Sequence, residues 1–143
     1  MRSRMLSTMA LVASAALFSA DASAQAVTYV NPGSAADASG PPFSSAVMVG
    51  NTLYLSGVLG RGDTAEDAAR NALNSIQSTL EQAGMTMDDL VNVQIFAADL
   101  ADYAGFNTVY RTYFTRQFPA RAFLGATLLA NARFEVLGVA VRR

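Results

Sequence analysis

Residues 118–125 read Phe-Pro-Ala-Arg-Ala-Phe-Leu-Gly, a stretch in which one cation stands near the head of an apolar segment. Pro119 ends any preceding helix and biases Phe118 toward extended geometry, so Arg121 is predicted to lie about two residues inside a new strand. A guanidinium stays charged and presents a planar fork of donors that suits a carboxylate. Arg121 is therefore a candidate carboxylate-binding residue, and a solvated arginine at a strand end is the alternative.

The N-terminus reads as a leader followed by one globular domain. Arg2 and Arg4 precede an apolar or small run from Met5 to Ala20, and Ala22-Ser23-Ala24 supplies a small-x-small cleavage pattern. This arrangement is typical of a secretory signal peptide, so we expect residues 1–24 to be removed and the mature protein to be periplasmic or secreted. The run is shorter and richer in alanine than a membrane-spanning helix requires, so stable membrane insertion is not expected.

The residue types that are missing restrict the possible chemistry. The chain of 143 residues contains no His, Cys, Trp or Lys. Their absence excludes histidine-based triads, cysteine nucleophiles, lysine Schiff bases and the nitrogen or sulfur ligands of zinc, so no metal site is expected. Loss of Arg2, Arg4 and Asp21 with the leader changes the formal charge from -1 to -2, which gives no electrostatic reason to expect a nucleic acid partner.

Turn and periodicity signals divide the mature chain into a short arm and one domain. Residues 25–42 contain Asn-Pro-Gly and Gly-Pro-Pro and are predicted to form a loop or loosely held arm. Residues 43–143 alternate between strand-like and helix-like patterns. In chain order these patterns predict a β-hairpin of Ser45 to Val49 and Thr52 to Leu59, a helix from Thr64 to Gly84, a strand from Val91 to Phe96, a helix beginning at Asp99 or Ala101, the strand of Arg121, and a last strand from Phe134 to Val141.

The order β-β-α-β-α-β-β predicts an α/β domain, more narrowly α+β, in which two long helices cover one face of a mixed sheet. The other face of the sheet would then need a partner, because an apolar sheet face left in water promotes aggregation. The second helix carries aromatic residues at three- and four-residue steps, which predicts that they face the core. These residues are Tyr103, Phe106, Tyr110 and Phe114.

Three further residues are candidates for a site. Asn107 follows Phe106 and is predicted at the flank of the buried helix face, where an amide either makes a structural hydrogen bond or contacts a ligand. Gly57 interrupts the second strand, which permits either a bulge or close approach of a ligand to the backbone. Glu135 is the only ionisable residue of the last strand.

Six short segments occur in a specific order and spacing. They are Pro42-Phe43-Ser44 leading into Val47-Met48-Val49-Gly50-Asn51, then Leu55-Ser56-Gly57, Asp99-Leu100-Ala101-Asp102-Tyr103, Asn107-Thr108-Val109-Tyr110, Pro119-Ala120-Arg121 and Phe134-Glu135-Val136. Together they resemble the Rid (YjgF-type) family of enamine/imine deaminases over nearly all of the mature chain. The resemblance implies a chorismate-mutase-like fold assembled as a homotrimer, with sites in the clefts between subunits, which would explain the open sheet face.

The resemblance also implies roles for individual residues. Arg121 matches the family's arginine that grips the substrate carboxylate, and Glu135 matches the glutamate associated with the hydrolytic water. Asn107 matches a cleft asparagine, and Gly57 matches a backbone position near the ligand. The implied activity is that of a 2-iminobutanoate/2-iminopropanoate deaminase-like hydrolase, which releases 2-oxo acids and ammonia from reactive enamine or imine intermediates without a cofactor.

Among the departures from the family's pattern, two aromatic positions leave a second function open. The family's cleft tyrosine is Phe43 here, and the residue two after the arginine, often cysteine, is Phe123. Both are predicted to contact the substrate as a bulkier, more apolar wall. The alternative to the enzyme is a non-enzymatic trimer that binds small carboxylate metabolites in the same clefts; Glu135 favours the enzyme, and Phe43 favours the binding protein.

Overall fold

The computed structural model describes residues 25–143, so the predicted signal peptide, residues 1–24, lies outside the described residues. The described chain forms a six-stranded sheet and two α-helices, with single 3₁₀ turns between some of them. The elements are β1 (Val27–Val30), β2 (Ala46–Val49), β3 (Thr52–Gly60), α1 (Ala65–Gln82), β4 (Leu90–Ala97), α2 (Tyr103–Tyr110), β5 (Ala120–Gly125) and β6 (Phe134–Val141).

The strands lie in the order β1-β2-β3-β6-β4-β5, and all neighbours are antiparallel except β4 and β5, which are parallel. The β2–β3 hairpin turns at Gly50, whose φ of +61° suits a residue without a side chain. The pairing of β3 with β6 shifts register between Leu55 and Val58, which confirms the predicted bulge at Gly57. The mixed sheet and the two helices confirm the predicted fold class.

The N-terminal segment differs from its prediction as a loop or loosely held arm. Its first residues form β1, an edge strand that pairs with β2 in the register Val27↔Val49. The sequence Val-Thr-Tyr-Val has high β-propensity, but four residues are too few to display a repeat. The Pro- and Gly-rich turns that dominated the prediction come after this strand, and the loop runs from there to β2.

Both helices pack on one face of the sheet. Thr64 begins α1 as its N-cap, because its Oγ1 accepts a hydrogen bond from the Asp67 N–H at 3.1 Å. Gly84, with a φ of +69°, follows the helix end. Small and aliphatic side chains of α1 pack with the alternate buried residues of β3 and β6 in one hydrophobic core. The buried residues of α1 include Ala68, Ala69, Ala72, Leu73, Ile76 and Leu80.

The opposite sheet face carries no helix in the described part of the chain. Along β6 the residues alternate between fully buried positions and half-buried ones, and the half-buried set contains Glu135, Leu137, Val139 and Val141. Tyr54 of β3 lies on the exposed surface as well. Within residues 25–143, neither α1 nor α2 is long and apolar enough to cross a bilayer.

The second helix is shorter than predicted, and its aromatic residues do not all face the core. A 3₁₀ turn, Leu100–Asp102, precedes α2, and another, Arg111–Tyr113, follows it. Phe106 and Tyr110 are buried, as predicted, but the side chain of Tyr103 is 48% exposed. The prediction of a wholly buried stripe was therefore wrong at Tyr103, the first residue of α2, whose ring packs edge-to-face on Phe123 while much of the side chain stays exposed.

Candidate active site

Arg121 points toward the helices from the outer strand of the sheet. It lies in register with Val93 of β4, which is buried under the helices. Side chains in register on neighbouring strands share a face, so Arg121 also faces the helix side. Pro119, just before β5, sets the extended geometry that brings the arginine to this edge. The strand position predicted for Arg121 is confirmed.

The guanidinium of Arg121 is held in place by α2. Its Nη1 donates to Oδ1 of Asn107 at 2.7 Å, and its Nη2 lies 3.4 Å from the hydroxyl of Tyr103. Its Cζ lies 4.9 Å from the ring centroid of Tyr110, within the range of a cation–π contact. Two of the five guanidinium donors are used in this way, so three remain for a ligand. The structure thus brings together two of the predicted site residues, Arg121 and Asn107.

A cavity of about 200 Å³ lies beside this guanidinium. Its wall is made of Arg121, Arg111, Tyr103, Tyr110, Asn107 and Phe118, together with Pro119. Two side chains of this wall are cations and none is a carboxylate. The volume is below the range usual for drug-sized ligands, so the cavity suits a small anion.

Tyr110 forms a neutral, apolar floor under the arginine. Burial raises the pKa of its phenol to about 12, and the nearby Arg121 opposes that rise. Within the described chain, its hydroxyl oxygen has no hydrogen-bond partner. At neutral pH Tyr110 is therefore an uncharged ring that supports the cation through its π face and supplies no base.

The segment before β5 is fixed by one carboxylate. Asp88 accepts hydrogen bonds from the backbone N–H groups of Thr115 and Arg116, at 3.0 and 3.3 Å, and from the hydroxyl of Thr115. These bonds, led by the Thr115 hydroxyl, lower the pKa of Asp88 below its ordinary value of 3.8. The contact anchors the chain that leads to Phe118 and the cavity wall.

Glu135 and Gly57 lie together on the open face of the sheet. Glu135 is in register with Phe96 of β4 and Leu59 of β3, which are half-buried on that face. A Cβ on Gly57 would lie 2.1 Å from Oε1 of Glu135, so the carboxylate occupies the space that a side chain at 57 would need. The structure therefore brings this predicted pair together, but on the side of the sheet opposite Arg121.

Phe43 and Phe123 do not line the Arg121 cavity. Phe43 is 57% exposed and contributes to a separate cavity of about 530 Å³ within the loop of residues 33–44. Phe123 shares the helix side of β5 with Arg121 but packs edge-to-face against Tyr103, with ring centroids 5.0 Å apart. The predicted contact of both residues with a substrate is therefore not made within this cavity.

Five wall residues were not among the predicted site residues: Tyr103, Tyr110, Arg111, Phe118 and Pro119. The two tyrosines were assigned to the core by their spacing, although a tyrosine in a buried stripe carries a polar tip that usually finds a partner. Arg111 and Phe118 carry no local signal, because they meet only when α2 packs beside β5. In residues 25–143 no three acidic side chains converge as metal ligands would.

The sequence of this chain is similar to those of known proteins. A family model described as Endoribonuclease L-PSP matches residues 33–142. The chain is 37% identical over 109 residues to a 2-iminobutanoate/2-iminopropanoate deaminase of Dermatophagoides farinae, an alignment that covers 70% of this chain and 85% of that protein. It is 35% identical over 111 residues to the Homo sapiens protein of the same name, with 71% and 80% covered.

The fold is also similar to that of solved structures. A member of the YjgF protein family from Neisseria meningitidis superposes with a TM-score of 0.74 at 27% identity, over 82% of this chain and 96% of that one. A member of the YjgF/YER057c/UK114 family from Mycobacterium tuberculosis gives a TM-score of 0.72 at 27% identity, over 82% of this chain and all, 100%, of the other.

Proposed function

This chain belongs to the YjgF/Rid family, and we propose that it hydrolyses small 2-imino acids, or the enamines in equilibrium with them, to 2-oxo acids and ammonia. Relatives named 2-iminobutanoate/2-iminopropanoate deaminase support this activity. The observation that carries the proposal is the Arg121–Asn107 pair on the wall of a small cavity that contains no carboxylate. This wall suits the carboxylate that every 2-imino acid carries.

The reaction requires a group that binds the substrate carboxylate and a group that transfers protons. Water adds its oxygen to the carbon of the C=N bond while a proton moves to the nitrogen; the C–N bond of the resulting tetrahedral adduct then breaks, ammonia leaves, and C=O forms. Arg121 binds the adjacent carboxylate through its free donors and so fixes the position of the reacting carbon. Glu135 accepts a proton from the water and returns it to the departing nitrogen, the role of a general base and then acid.

The two proposed roles require more than one copy of the chain. Arg121 faces the helix side of the sheet and Glu135 the open side. We therefore propose that copies assemble through their open sheet faces, as a homotrimer, so that Arg121 of one copy meets Glu135 and Gly57 of the next. The half-buried apolar residues of β6 and the exposed Tyr54 of β3 give that face the character of an interface.

The experiment that tests the activity generates 2-iminobutanoate in place with an amino acid oxidase and follows its lifetime by trapping with semicarbazide. The mature protein, residues 25–143, should shorten that lifetime and increase the release of ammonia and 2-oxobutanoate. If the imine decays at the same rate with and without the protein, the hydrolytic function is wrong.

A binding protein for small carboxylates is the second candidate. One observation favours it. Arg121 and Asn107, the proposed carboxylate-binding residues, contact each other within one chain, whereas Glu135, the proposed base, lies on the other face of the sheet. Phe43 also lacks the hydroxyl that the family's cleft tyrosine would supply. This function needs affinity for 2-oxo acids without turnover, so calorimetry beside the imine assay distinguishes the two.

A further inference from the structure

We propose that the Arg121 cavity selects dianionic substrates, namely 2-imino dicarboxylic acids derived from acidic amino acids, and that Arg111 binds the distal carboxylate. The proposal rests on the proposed function and adds a substrate class to it. Hydrolysis proceeds at the C=N bond as for a monocarboxylate, and the second carboxylate takes no part in bond making or breaking.

The first observation is the charge of the cavity. Arg111 lies directly after α2 and lines the same wall as Arg121. The one ion pair of the described residues joins Arg133 to Asp102, so neither cavity arginine has a carboxylate within 4.0 Å in residues 25–143. Two cations that share a small cavity repel each other, and an anionic ligand with two charges relieves that repulsion at both sites.

The second observation is that aromatic rings hold both guanidinium groups in place. Arg121 lies over the ring of Tyr110, and Arg111 lies over the ring of Phe118 with its Cζ 5.7 Å from the centroid. These two rings stack on each other, with centroids 6.1 Å apart and planes 22° from parallel. Each cation therefore contacts one ring of the same stacked pair, which restrains both guanidinium groups before a ligand binds.

The test compares kcat/KM for 2-iminoglutarate with that for 2-iminobutanoate, both generated in place by amino acid oxidases. The wild type should favour the dicarboxylate, and Arg111→Gln should lower the ratio by about tenfold, the usual effect of losing a charge-assisted hydrogen bond. Arg116→Gln removes the same charge five residues away, outside the cavity wall, and should leave the ratio within about twofold. Arg111→Lys keeps the charge without the fork and should fall between the two.

The same ratio in Arg111→Gln and in the wild type would overturn the proposal. If the wild type hydrolyses neither imine, the proposed function fails, and binding decides the substrate class by itself. Calorimetry with 2-oxoglutarate and 2-oxobutanoate should then show a preference for the dicarboxylate that Arg111→Gln lowers by about tenfold; equal affinities would exclude the role of Arg111.

Discussion

Arg121 and Glu135 lie on opposite faces of one sheet. Arg121 shares the helix side with the buried Val93, whereas Glu135 shares the open side with Phe96. The alternation of side chains along a strand fixes this relationship, and a change of rotamer does not reverse it. A substrate that contacts both residues must therefore lie between two copies of the chain.

The first prediction is that two inactive variants restore activity when their subunits are mixed. Arg121→Gln and Glu135→Gln each lack one half of the proposed site, but an interface that takes Arg121 from one chain and Glu135 from the other is intact. Random mixing in equal amounts should recover about a quarter of the wild-type turnover, because about one interface in four has that composition. Turnover that stays at the level of the single variants would show that the site does not span two subunits.

The second prediction concerns the geometry of carboxylate binding. Arg121→Lys keeps a cation but loses the planar fork and its bond to Asn107, so affinity for 2-oxobutanoate should fall by about ten- to a hundredfold, or roughly 1.5 to 3 kcal/mol. Isothermal calorimetry measures this change. Arg116→Lys is the matched control and should bind as the wild type does; equal affinity in both variants would contradict the role of Arg121.

The third prediction separates binding from catalysis at Glu135. Glu135→Gln keeps the size of the side chain beside Gly57 but removes the base, so turnover should fall by about a hundredfold or more while 2-oxobutanoate binding stays close to wild type. Imine lifetime and calorimetry on the same preparation provide both quantities. Unchanged turnover would remove Glu135 from the mechanism, and no turnover in the wild type either would favour the binding protein.

The fourth prediction is a pH dependence of stability through Asp88. Its pKa is lowered in the folded chain, so its bonds to Thr115 and Arg116 stabilise the fold above the unfolded pKa and lose that contribution as pH falls through the folded pKa. Asp88→Asn should lower Tm at pH 7, and the difference from wild type should shrink as pH falls below 3.8, the ordinary value. Thermal scans across pH measure it; a constant difference would contradict this assignment.

The fifth prediction is processing after Ala24. The charged start, the apolar run and Ala22-Ser23-Ala24 favour export and cleavage. Intact mass of protein recovered from the periplasm or medium should correspond to a chain that begins at Gln25. Full-length protein recovered from the cytosol of the native host would contradict export.

The fold was predictable wherever local patterns were long. The alternation of β6 and the caps of α1 carry their own signals, and both elements were predicted nearly residue for residue. The strand β1 was missed because four residues do not display a repeat, and its pairing with β2 depends on a contact across the intervening loop. Long-range pairing of this kind leaves no local trace.

Two residues of the candidate cavity were predicted, but the rest of its wall and its arrangement were not. Arg121 and Asn107 were each predicted near a ligand, and their 2.7 Å bond joins them. The sequence does not indicate that β4 and β5 pair in parallel with Val93 beside Arg121, and this register decides which face the arginine occupies. For the same reason Arg111 and Phe118 were not predicted as cavity residues, since they meet only when α2 packs beside β5.

The space above Gly57 links two positions that are far apart in the chain. Gly57 has no left-handed backbone to preserve, so the carboxylate of Glu135 is what forbids a larger residue there. A descendant that has abandoned the glutamate is released from this constraint and can accumulate alanine or serine at 57. Under the proposed function, the two positions should vary together: lineages that keep hydrolysis should keep glycine with glutamate, and lineages that lose the glutamate should be free to lose the glycine.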